Sequence, residues 1–471
     1  MLQSKRLAYL FPILLFGSLL LDFKVKISIF YLTPTRLLIV AFFLLAYFSV
    51  HQGGVFKTIK NWSRLTQFVV YMLVFWFLYG LLGILWSVNR TDAMHELMVL
   101  GFNILIVMTC LLLYQKQENQ KILFKVLKLL LAAQIIVMCF EMLTGLHLPL
   151  SRYFSGNTGL DNAVVYIPTG ISYNQNDQAF LMLLFLTIPL AELFLLIRRH
   201  KEMPGQWIKK LIIPALIVIF TLLMLYSADS FIIFSSMLIT LVVASVLTVP
   251  VTGLVIAMFL ALLWKIGFAP LFRILQQIQP AISKFFSGFN LFLAKLPIFR
   301  QAAADSALPA EPATVMGINT VDEYTLFGVI ISNGNSLSVR IGLIKEGLRQ
   351  FFSSRGLGVG ANGFKDNISN LAQTQGMVNP HCWFIEILSQ YGIFVFLAYS
   401  ASLVLMLIRL LKSKLYKSSP SVLAAILIIA AFIPGSFAPS QLIQFWPQWF
   451  FFGIAAAIAG GIPAAVRLSA S

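Results

Sequence analysis

The chain has 471 residues, of which 59% are hydrophobic, 14% aromatic and 11% charged, and its mean hydropathy is +0.88. Soluble domains are roughly 45–50% apolar and about 25% charged, so a water-soluble globule cannot hide this much apolar surface. Three cysteines exclude a disulfide scaffold, and nucleic-acid binding is one interpretation of the formal charge of +17. The composition predicts an all-α, polytopic integral membrane protein.

Apolar stretches long enough to cross a bilayer recur along the chain and predict about twelve membrane spans. They lie near residues 7–22, 30–50, 65–86, 97–114, 122–144, 178–197, 208–226, 231–248, 250–267, 382–408, 422–438 and 443–462. No small-residue cleavage site follows residues 1–22, so we expect a retained span there and not a cleavable signal peptide. The chain then divides into spans 1–9 (1–267), one long loop (268–380) and spans 10–12 (381–471).

The basic residues are divided unevenly between the two sides of this predicted bundle. With the N-terminus in the cytoplasm, the short loops on that side hold most of the Lys and Arg residues outside the long loop. The short outer loops hold only Lys24, Lys26, Arg36, Arg90 and Arg152. Because cytoplasmic loops are enriched in Lys and Arg, we predict a cell-membrane protein with both termini inside and residues 268–380 outside. The net charge then follows from topology and from attraction to anionic headgroups, so no nucleic-acid partner is expected.

The shorter outer segment ends in PTGISYNQNDQAFLMLL (168–184), at the beginning of the sixth predicted span. Asn174 and Asn176 are candidates to hydrogen-bond sugar hydroxyls, and Asp177 is suited to cap the helix that follows. Glu141 and Glu192 fall within predicted spans. Acids inside a membrane are functional candidates by default, unless they reach interfacial water near a span end.

Two amphipathic helices are predicted in the long outer loop. In AISKFFSGFNLFLAKLPIF (281–299) apolar residues recur at alternating spacings of four and three, which is typical of a helix at the membrane interface or packed on the bundle. A linker-like stretch, AAADSALPAEPAT, follows. In LSVRIGLIKEGLRQFF (337–352) the same kind of apolar stripe is formed by Leu337, Ile341, Ile344, Leu348 and Phe351.

Arg340 lies at the edge of that second stripe, in line with Ile344 and Leu348. A guanidinium held against a packed face suits bidentate phosphate binding, whereas a snorkelling or ion-paired arginine is the alternative. The next segment, SSRGLGVGANGF (353–364), contains four glycines. Such a turn either brings backbone N–H groups together for an anion or is an ordinary sharp loop.

A histidine stands where the tenth predicted span begins, in VNPHCWFIEILSQYGI (378–393). Asn379 as the N-cap and Pro380 as the first helical residue are typical of a helix start, which puts His381 in the first turn. The positive end of the helix disfavours imidazolium, so we expect a neutral ring that can accept a proton. The alternative is an interfacial histidine bonded to a loop carbonyl. Glu386 lies about 140° around the helix from His381, so we expect it to meet a neighbouring helix.

Taken in order, PTGISYNQN before a span, SVR ahead of GLGVGANGF, and NPHCWFIEILSQYGIF resemble the O-antigen ligase and O-antigen polymerase superfamily. That family's signature is a histidine opening a span, an aromatic and an acid shortly after it, and a glycine further on. The corresponding residues here are His381, Trp383 or Phe384, Glu386 and Gly392. Among its members the chain looks most like the Gram-positive membrane proteins of teichuronic acid biosynthesis. It departs from the pattern in having Cys382 where Asn is common, and YSADSFIIF where Ser-Arg-Gly is often found.

The resemblance implies a membrane glycosyltransferase that needs no metal or other cofactor. It would transfer or polymerise glycan repeat units from an undecaprenyl-diphosphate carrier onto the hydroxyl of an acceptor glycan, at the outer membrane face. By the same resemblance, His381 is the catalytic base and Arg340 binds the diphosphate. Because YSADSFIIF contains no arginine, Arg152 or Arg355 is expected to supply a second cation. The predicted substrate-binding residues are Asn174, Asn176 and Glu386.

Three alternatives stay open at the level of sequence. A ligase that attaches finished polymer uses the same chemistry and differs in its acceptor. A flippase for lipid-linked oligosaccharides should carry several ionisable groups at mid-membrane, and the polar features of this chain gather instead at the predicted outer face, which favours an enzyme. A receptor or scaffold would use the long outer loop to bind a partner. No Cys/His cluster has metal-ligand spacing, and packing is the expected role of all three cysteines.

Overall fold

α-Helices form nearly all of the chain that is described. The computed structural model describes residues 2–20, 25–27, 30–50, 60–148, 150–151, 153, 167–202, 206–227, 230–262, 268, 270, 274, 277, 324–326, 329–331, 336–369, 374 and 376–463. The helices are α1 (Leu2–Gly17), α2 (Pro34–Val50), α3 (Arg64–Gly83), α4 (Arg90–Leu113), α5 (Gln117–Thr144), α6 (Gln175–Arg198), α7 (Trp207–Ser227), α8 (Phe231–Thr248), α9 (Pro250–Leu262), α10 (Ser336–Ser353), α11 (Trp383–Lys412), α12 (Pro420–Gly435) and α13 (Trp446–Gly461).

Two short antiparallel hairpins accompany the helices. In the first, β1 (Val25–Ile27) pairs with β2 (Phe30–Leu32). In the second, β3 (Tyr324–Leu326) pairs with β4 (Val329–Ile331). Both hairpins were unexpected, because the sequence was interpreted as purely helical.

Each stretch that was predicted to span the membrane coincides with a helix. Six of these helices, α3, α4, α5, α6, α7 and α11, are long and apolar enough to cross a bilayer, whereas α2, α8, α9 and α12 are shorter apolar helices. The total of twelve spans and the side on which each loop lies remain predictions. The amphipathic helix predicted at 337–352 is α10, and the one predicted at 281–299 lies outside the described residues.

Helix α6 runs through the centre of the bundle. Of its most apolar 18-residue window, 83% is buried, as expected for a helix that is hydrophobic on all sides. It packs against α5, α7, α8, α12 and α13. A second core feature is an aromatic cluster in which the Trp76 ring of α3 lies 5.4–5.5 Å from the rings of Tyr391, Tyr399 and Trp449. This cluster joins α3, α11 and α13.

Helix α11 is interrupted at Gly392, where φ is 75° and ψ is −173°. The break exposes backbone groups that an unbroken helix would pair, and the segment 356–360 pairs them instead. Val359 N–H donates to the Ser389 carbonyl (2.7 Å), Gly360 N–H to the Gln390 carbonyl (3.0 Å), and Ile393 N–H to the Gly356 carbonyl (2.9 Å). Irregular backbone within an apolar bundle is tolerated where protein covers it in this way.

Helix α10 packs across the start of α11 on a face that differs from its predicted apolar stripe. Its buried residues are Val339, Leu343, Glu346 and Gln350, whereas Ile344 and Leu348 of the stripe are only partly buried. Gly347 allows the close approach, since a Cβ there would collide with the Ile385 side chain. The polar members of this face bond the loop that follows α10: Gln350 Nε2 donates to the Phe364 carbonyl at 2.9 Å, and Glu346 Oε1 accepts the N–H of Ser369 at 3.0 Å. The contacts with α11 and with the loop that follows α10 therefore determine which face of α10 is buried.

Candidate active site at the start of helix α11

His381 lies just before α11, not within its first turn. The helix begins at Trp383 with Cys382 as its N-cap, so the predicted cap at Asn379 is wrong. The backbone of His381 is left-handed, with φ of 48°, and its N–H donates to the Ser440 carbonyl at 3.1 Å. This tertiary contact turns the chain away from helical geometry, and the helix begins three residues later than predicted.

The imidazole of His381 is held neutral, although the predicted helix end is not the cause. Burial and then the positive charge of Arg340 lower the pKa of His381 to about 4, while the backbone carbonyls of Ala438 and Pro439 act in the opposite direction. A neutral imidazole can accept a proton from a hydroxyl group. The expected protonation state is therefore present, and its origin is tertiary.

Arg340 reaches this position because α10 is anchored beside α11. Val339 and Leu343, one on each side of Arg340 in sequence, belong to a small apolar cluster with Phe364, Cys382 and Ile385. Arg340 itself is half-buried, and burial lowers the pKa of its guanidinium. A weakly hydrated guanidinium gains more from an anion than an exposed one does. The two residues given the leading roles by the sequence thus lie in one place.

The α12–α13 loop, residues 436–445, forms the other wall of the site. Its carbonyl groups at 438–440 face His381, and Gln441 Nε2 donates to Asn379 Oδ1 at 2.9 Å. On the side of the bundle interior, Nδ2 of the buried residue Asn103 in α4 donates to the Ile443 carbonyl at 2.7 Å. The loop is therefore tied both to the segment before α11 and to the interior of the bundle.

Glu386 is the buried anchor of this loop. Its side chain is fully buried, and its two carboxylate oxygens accept the N–H groups of Leu442 and of Ile443, the latter at 3.1 Å. As expected, Glu386 does not share a face with His381, although it meets a loop and not a helix. With both oxygens engaged and no exposed surface, the side chain is not placed to contact a sugar. Its geometry is that of a positioning residue.

The glycine loop, residues 354–364, uses its backbone N–H groups within the protein. Besides the pairing with the α11 break, Gly358 N–H donates to Ser354 Oγ (3.0 Å) and Gly363 N–H to the Gly360 carbonyl (3.0 Å). Asn362 N–H donates to Glu96 Oε1 at 2.9 Å. These bonds favour the interpretation as a packed loop over that as an anion site.

Glu96 of α4 is fully buried and is not among the residues that the sequence indicated. Besides Asn362 N–H, its Oε1 accepts the hydroxyl of Tyr391 at 2.7 Å. The sequence contained a signal for Glu96, because it directly precedes the predicted span at 97–114. Glu141 and Glu192 were singled out as acids within such apolar stretches. The carboxylates of those two residues are also bonded within the protein. Glu141 accepts the N–H groups of Thr169 and Gly170, and Glu192 pairs with Lys128 at 2.8 Å.

The other predicted site residues are distributed more widely. Arg355 is exposed with φ of 54°, just beyond the end of α10, and about 20 Å of helix separates that end from Arg340. The structure thus does not bring Arg355 to the Arg340 group, because an extended helix intervenes. Arg152, Ala228 and Asp229 lie outside the described residues.

The two asparagines lie at the N-terminus of α6. Asn174 is the helix cap that was predicted at Asp177, because Asn174 Oδ1 accepts Asp177 N–H and Asn174 Nδ2 donates to Asp177 Oδ2, both at 2.9 Å. Asn176 is half-buried in the first turn. Phe180, one turn further, lies 5.6 Å from the ring of Phe445 in the α12–α13 loop. Asn174 and Asn176 therefore occupy the same end of the bundle as His381, and Asn174 already serves the helix.

Among the residues that the structure describes, no group of three or more His, Cys, Asp or Glu is arranged to hold a metal. Cys110 and Cys382 are buried and Cys139 is half-buried, all as free thiols, which agrees with packing roles. The groups that the structure brings together at the start of α11 are the neutral imidazole of His381, the half-buried guanidinium of Arg340 and the backbone carbonyls at 438–440.

Fold and site together define a helical membrane protein with a histidine and an arginine gathered at one end of its bundle. The chain is similar to the teichuronic acid biosynthesis protein TuaE of Bacillus subtilis (strain 168): the two are 24% identical over 440 residues, which is 92% of this chain and 79% of that protein. The similarity confirms the likeness to the teichuronic acid branch that the motifs indicated. No family model matches the chain, and membership of the wider superfamily stays a prediction.

Proposed function

We propose that this chain is a membrane glycosyltransferase of cell-surface polysaccharide synthesis. It transfers or polymerises glycan repeat units from an undecaprenyl-diphosphate carrier onto an acceptor sugar hydroxyl, at the outer face of the cytoplasmic membrane. The observation that carries the proposal is the neutral imidazole of His381 beside the half-buried Arg340. The similarity to a protein of teichuronic acid biosynthesis supports the assignment to surface polysaccharide.

In the proposed reaction, an acceptor hydroxyl attacks the anomeric carbon of the donor sugar while its proton passes to His381. The bond between that carbon and the diphosphate oxygen breaks, and the diphosphate leaves with the electron pair. Arg340 stabilises the charge that develops on this leaving group. The imidazolium of His381 afterwards releases its proton to solvent. The α12–α13 loop holds the imidazole in place throughout.

Replacement of the histidine tests the proposal. For His381→Ala we expect polymer extension to fall by about 10²–10⁴-fold, which is the usual contribution of a general base. His200→Ala is the matched control, because His200 is exposed and follows the C-terminal end of α6. Extension is measured with carrier-linked repeat units in proteoliposomes that contain equal amounts of folded protein. Full-length polymer from the His381→Ala protein would refute the proposed role of the histidine.

Polymerase and ligase share this geometry, so a cellular experiment has to separate them. The gene is deleted, and carrier-linked and surface glycans are resolved on a gel. Single repeat units accumulating on the carrier identify a polymerase. Long chains retained on the carrier identify a ligase, whereas normal surface polysaccharide in the deletion strain contradicts both functions.

A further inference from the structure

A groove lies between α3, α11 and α13 at the end of the bundle opposite His381. It encloses about 440 Å³ and is lined by both polar and apolar side chains. Helix α11 connects the two ends. Its first residue in the groove is Leu405, so about 33 Å of helix separates the groove from the start of α11 beside the candidate active site. The groove plays no part in the glycosyl transfer described above.

Among the residues that the structure describes, three basic residues and no acidic residue line this groove. Arg64 and Lys412 are exposed, at the start of α3 and the end of α11, and Arg409 is half-buried between them. Arg409 is fixed, because its Nε donates to the Ala459 carbonyl at 2.7 Å and its guanidinium also bonds the Ile462 carbonyl. These carbonyls belong to the C-terminal end of α13, which has no helical donors for them. The first turn of α3, capped by Ser63, adds the positive end of a helix.

Apart from Ser413, the remaining residues that line the groove are apolar. Leu405 and Ile408 are each 41% exposed, and Phe68 of α3 lines the groove with them. Both α3 and α11 are long and apolar enough to span a bilayer, so their exposed apolar side chains contact hydrocarbon. A ligand that fits has an anionic head and apolar tails. A soluble anion would leave the apolar walls without a partner.

We propose that this groove binds the phosphate headgroup of an anionic membrane lipid, whose acyl chains lie along Phe68, Leu405 and Ile408. Arg64, Arg409 and Lys412 hold the phosphate. The predicted topology puts these helix ends at the cytoplasmic leaflet, which carries the anionic lipids of the membrane. The proposal does not depend on the glycosyltransferase function.

Lipid retention by the purified full-length chain tests the proposal. The protein is equilibrated with mixed vesicles of phosphatidylglycerol and phosphatidylcholine, and bound lipid is counted by native mass spectrometry. For Arg64→Gln combined with Lys412→Gln we expect about 25-fold weaker phosphatidylglycerol binding, since each surface cation contributes about fivefold. Arg409 is left in place because it also supports α13.

The matched control is Lys116→Gln combined with Lys121→Gln, which removes the same charge from exposed positions outside the groove. It should retain phosphatidylglycerol as the wild type does, and so should the charge-preserving pair Arg64→Lys and Lys412→Arg. Equal retention by the Gln pair and the control pair overturns the proposal. Displacement of the lipid by glycerol phosphate at equal concentration, or cross-linking of the lipid-free groove to residues 464–471, would also overturn it. The first result would mean a soluble ligand, and the second would identify the chain itself as the occupant.

Discussion

The surroundings of His381 oppose a positive charge, which is what its proposed role as a base requires. Burial and the neighbouring Arg340 lower the pKa of the ring to about 4, and the ring is uncharged at neutral pH. In the proposed reaction the same arginine binds the leaving diphosphate, which gives Arg340 two tasks: it keeps the base neutral and it binds the anion. The sequence alone indicated both His381 and Arg340, but it did not indicate that the pKa of His381 depends on Arg340.

The dependence predicts a shift in the pH profile of the enzyme. Activity requires neutral His381, so it should be lost as the pH falls through about 4. Arg340→Gln removes a positive charge that disfavours imidazolium; the pKa of His381 rises, and the acidic limb moves to higher pH. Arg340→Lys keeps the charge and should leave the limb in place. The measurement is the rate of polymer extension against pH in proteoliposomes, and identical acidic limbs for the Gln and Lys variants would contradict the argument.

The hydrogen bonds of Glu386 predict that it acts through the α12–α13 loop and not through the substrate. In Glu386→Gln an amide NH2 faces one of the two loop N–H groups, so a buried hydrogen bond is lost at a cost of about 1–3 kcal/mol. We expect the rate of extension to fall roughly tenfold or more and the acidic limb to shift, because the carbonyls at 438–440 move relative to His381.

Glu192→Gln is the control for this substitution, since it removes a glutamate that pairs with Lys128. The control should affect thermal stability without moving the pH profile. An unchanged profile in Glu386→Gln, alongside a similar loss of stability, would show that Glu386 is merely structural.

At the scale of elements, buried glutamates hold the loops at the active-site end of the bundle. Each carboxylate accepts backbone N–H groups from a loop: Glu96 that of Asn362 and Glu346 that of Ser369, both between α10 and α11, Glu141 those of Thr169 and Gly170, and Glu386 those of Leu442 and Ile443. A loop N–H removed from water needs an acceptor, and a charged acceptor is a strong one. At Glu346, burial raises the pKa, but the bonds from Arg349, Ser369 and Gln350 prevail and lower it to about 2. Two of these acids, Glu141 and Glu386, were functional candidates in the sequence, and in the structure both hold loops.

The break in α11 is the second device at this scale. Gly392 has a positive φ, and a Cβ there would collide with the backbone of Gly356 and Leu357. For Gly392→Ala we therefore expect a loss of at least about 1–3 kcal/mol, seen as a lower midpoint of thermal unfolding in detergent by tryptophan fluorescence. Gly101→Ala is the control, because a Cβ there makes an ordinary 3.6 Å contact with Phe77. Equal midpoints for the two variants would argue against the close pairing of the glycine loop with α11.

At the scale of the whole molecule, the two ends of the bundle differ in chemistry. One end combines His381, Arg340 and loops tied by carboxylates, and the other presents the basic groove around Arg409. Helix α11 connects them and is broken nearer to the first end. A protein that transfers membrane-bound glycans would have to position its active-site end relative to the bilayer, and a lipid held at the opposite end would contribute to that positioning.

Much of this arrangement could be predicted from sequence, because hydrophobicity and helical periodicity are local properties. The composition indicated a membrane protein, and each apolar stretch that was predicted to be a span is a helix in the structure. The local sequence pattern singled out His381, Arg340 and the helix α10. The tertiary structure alone decided which residues meet. The start of α11 moved because Ser440 bonds His381, α10 turned another face inward because Gly347 fits Ile385, and Glu386 became a loop anchor. These outcomes join residues that are far apart in the chain, and their energies come from packing and hydrogen bonding between elements, which no local pattern records.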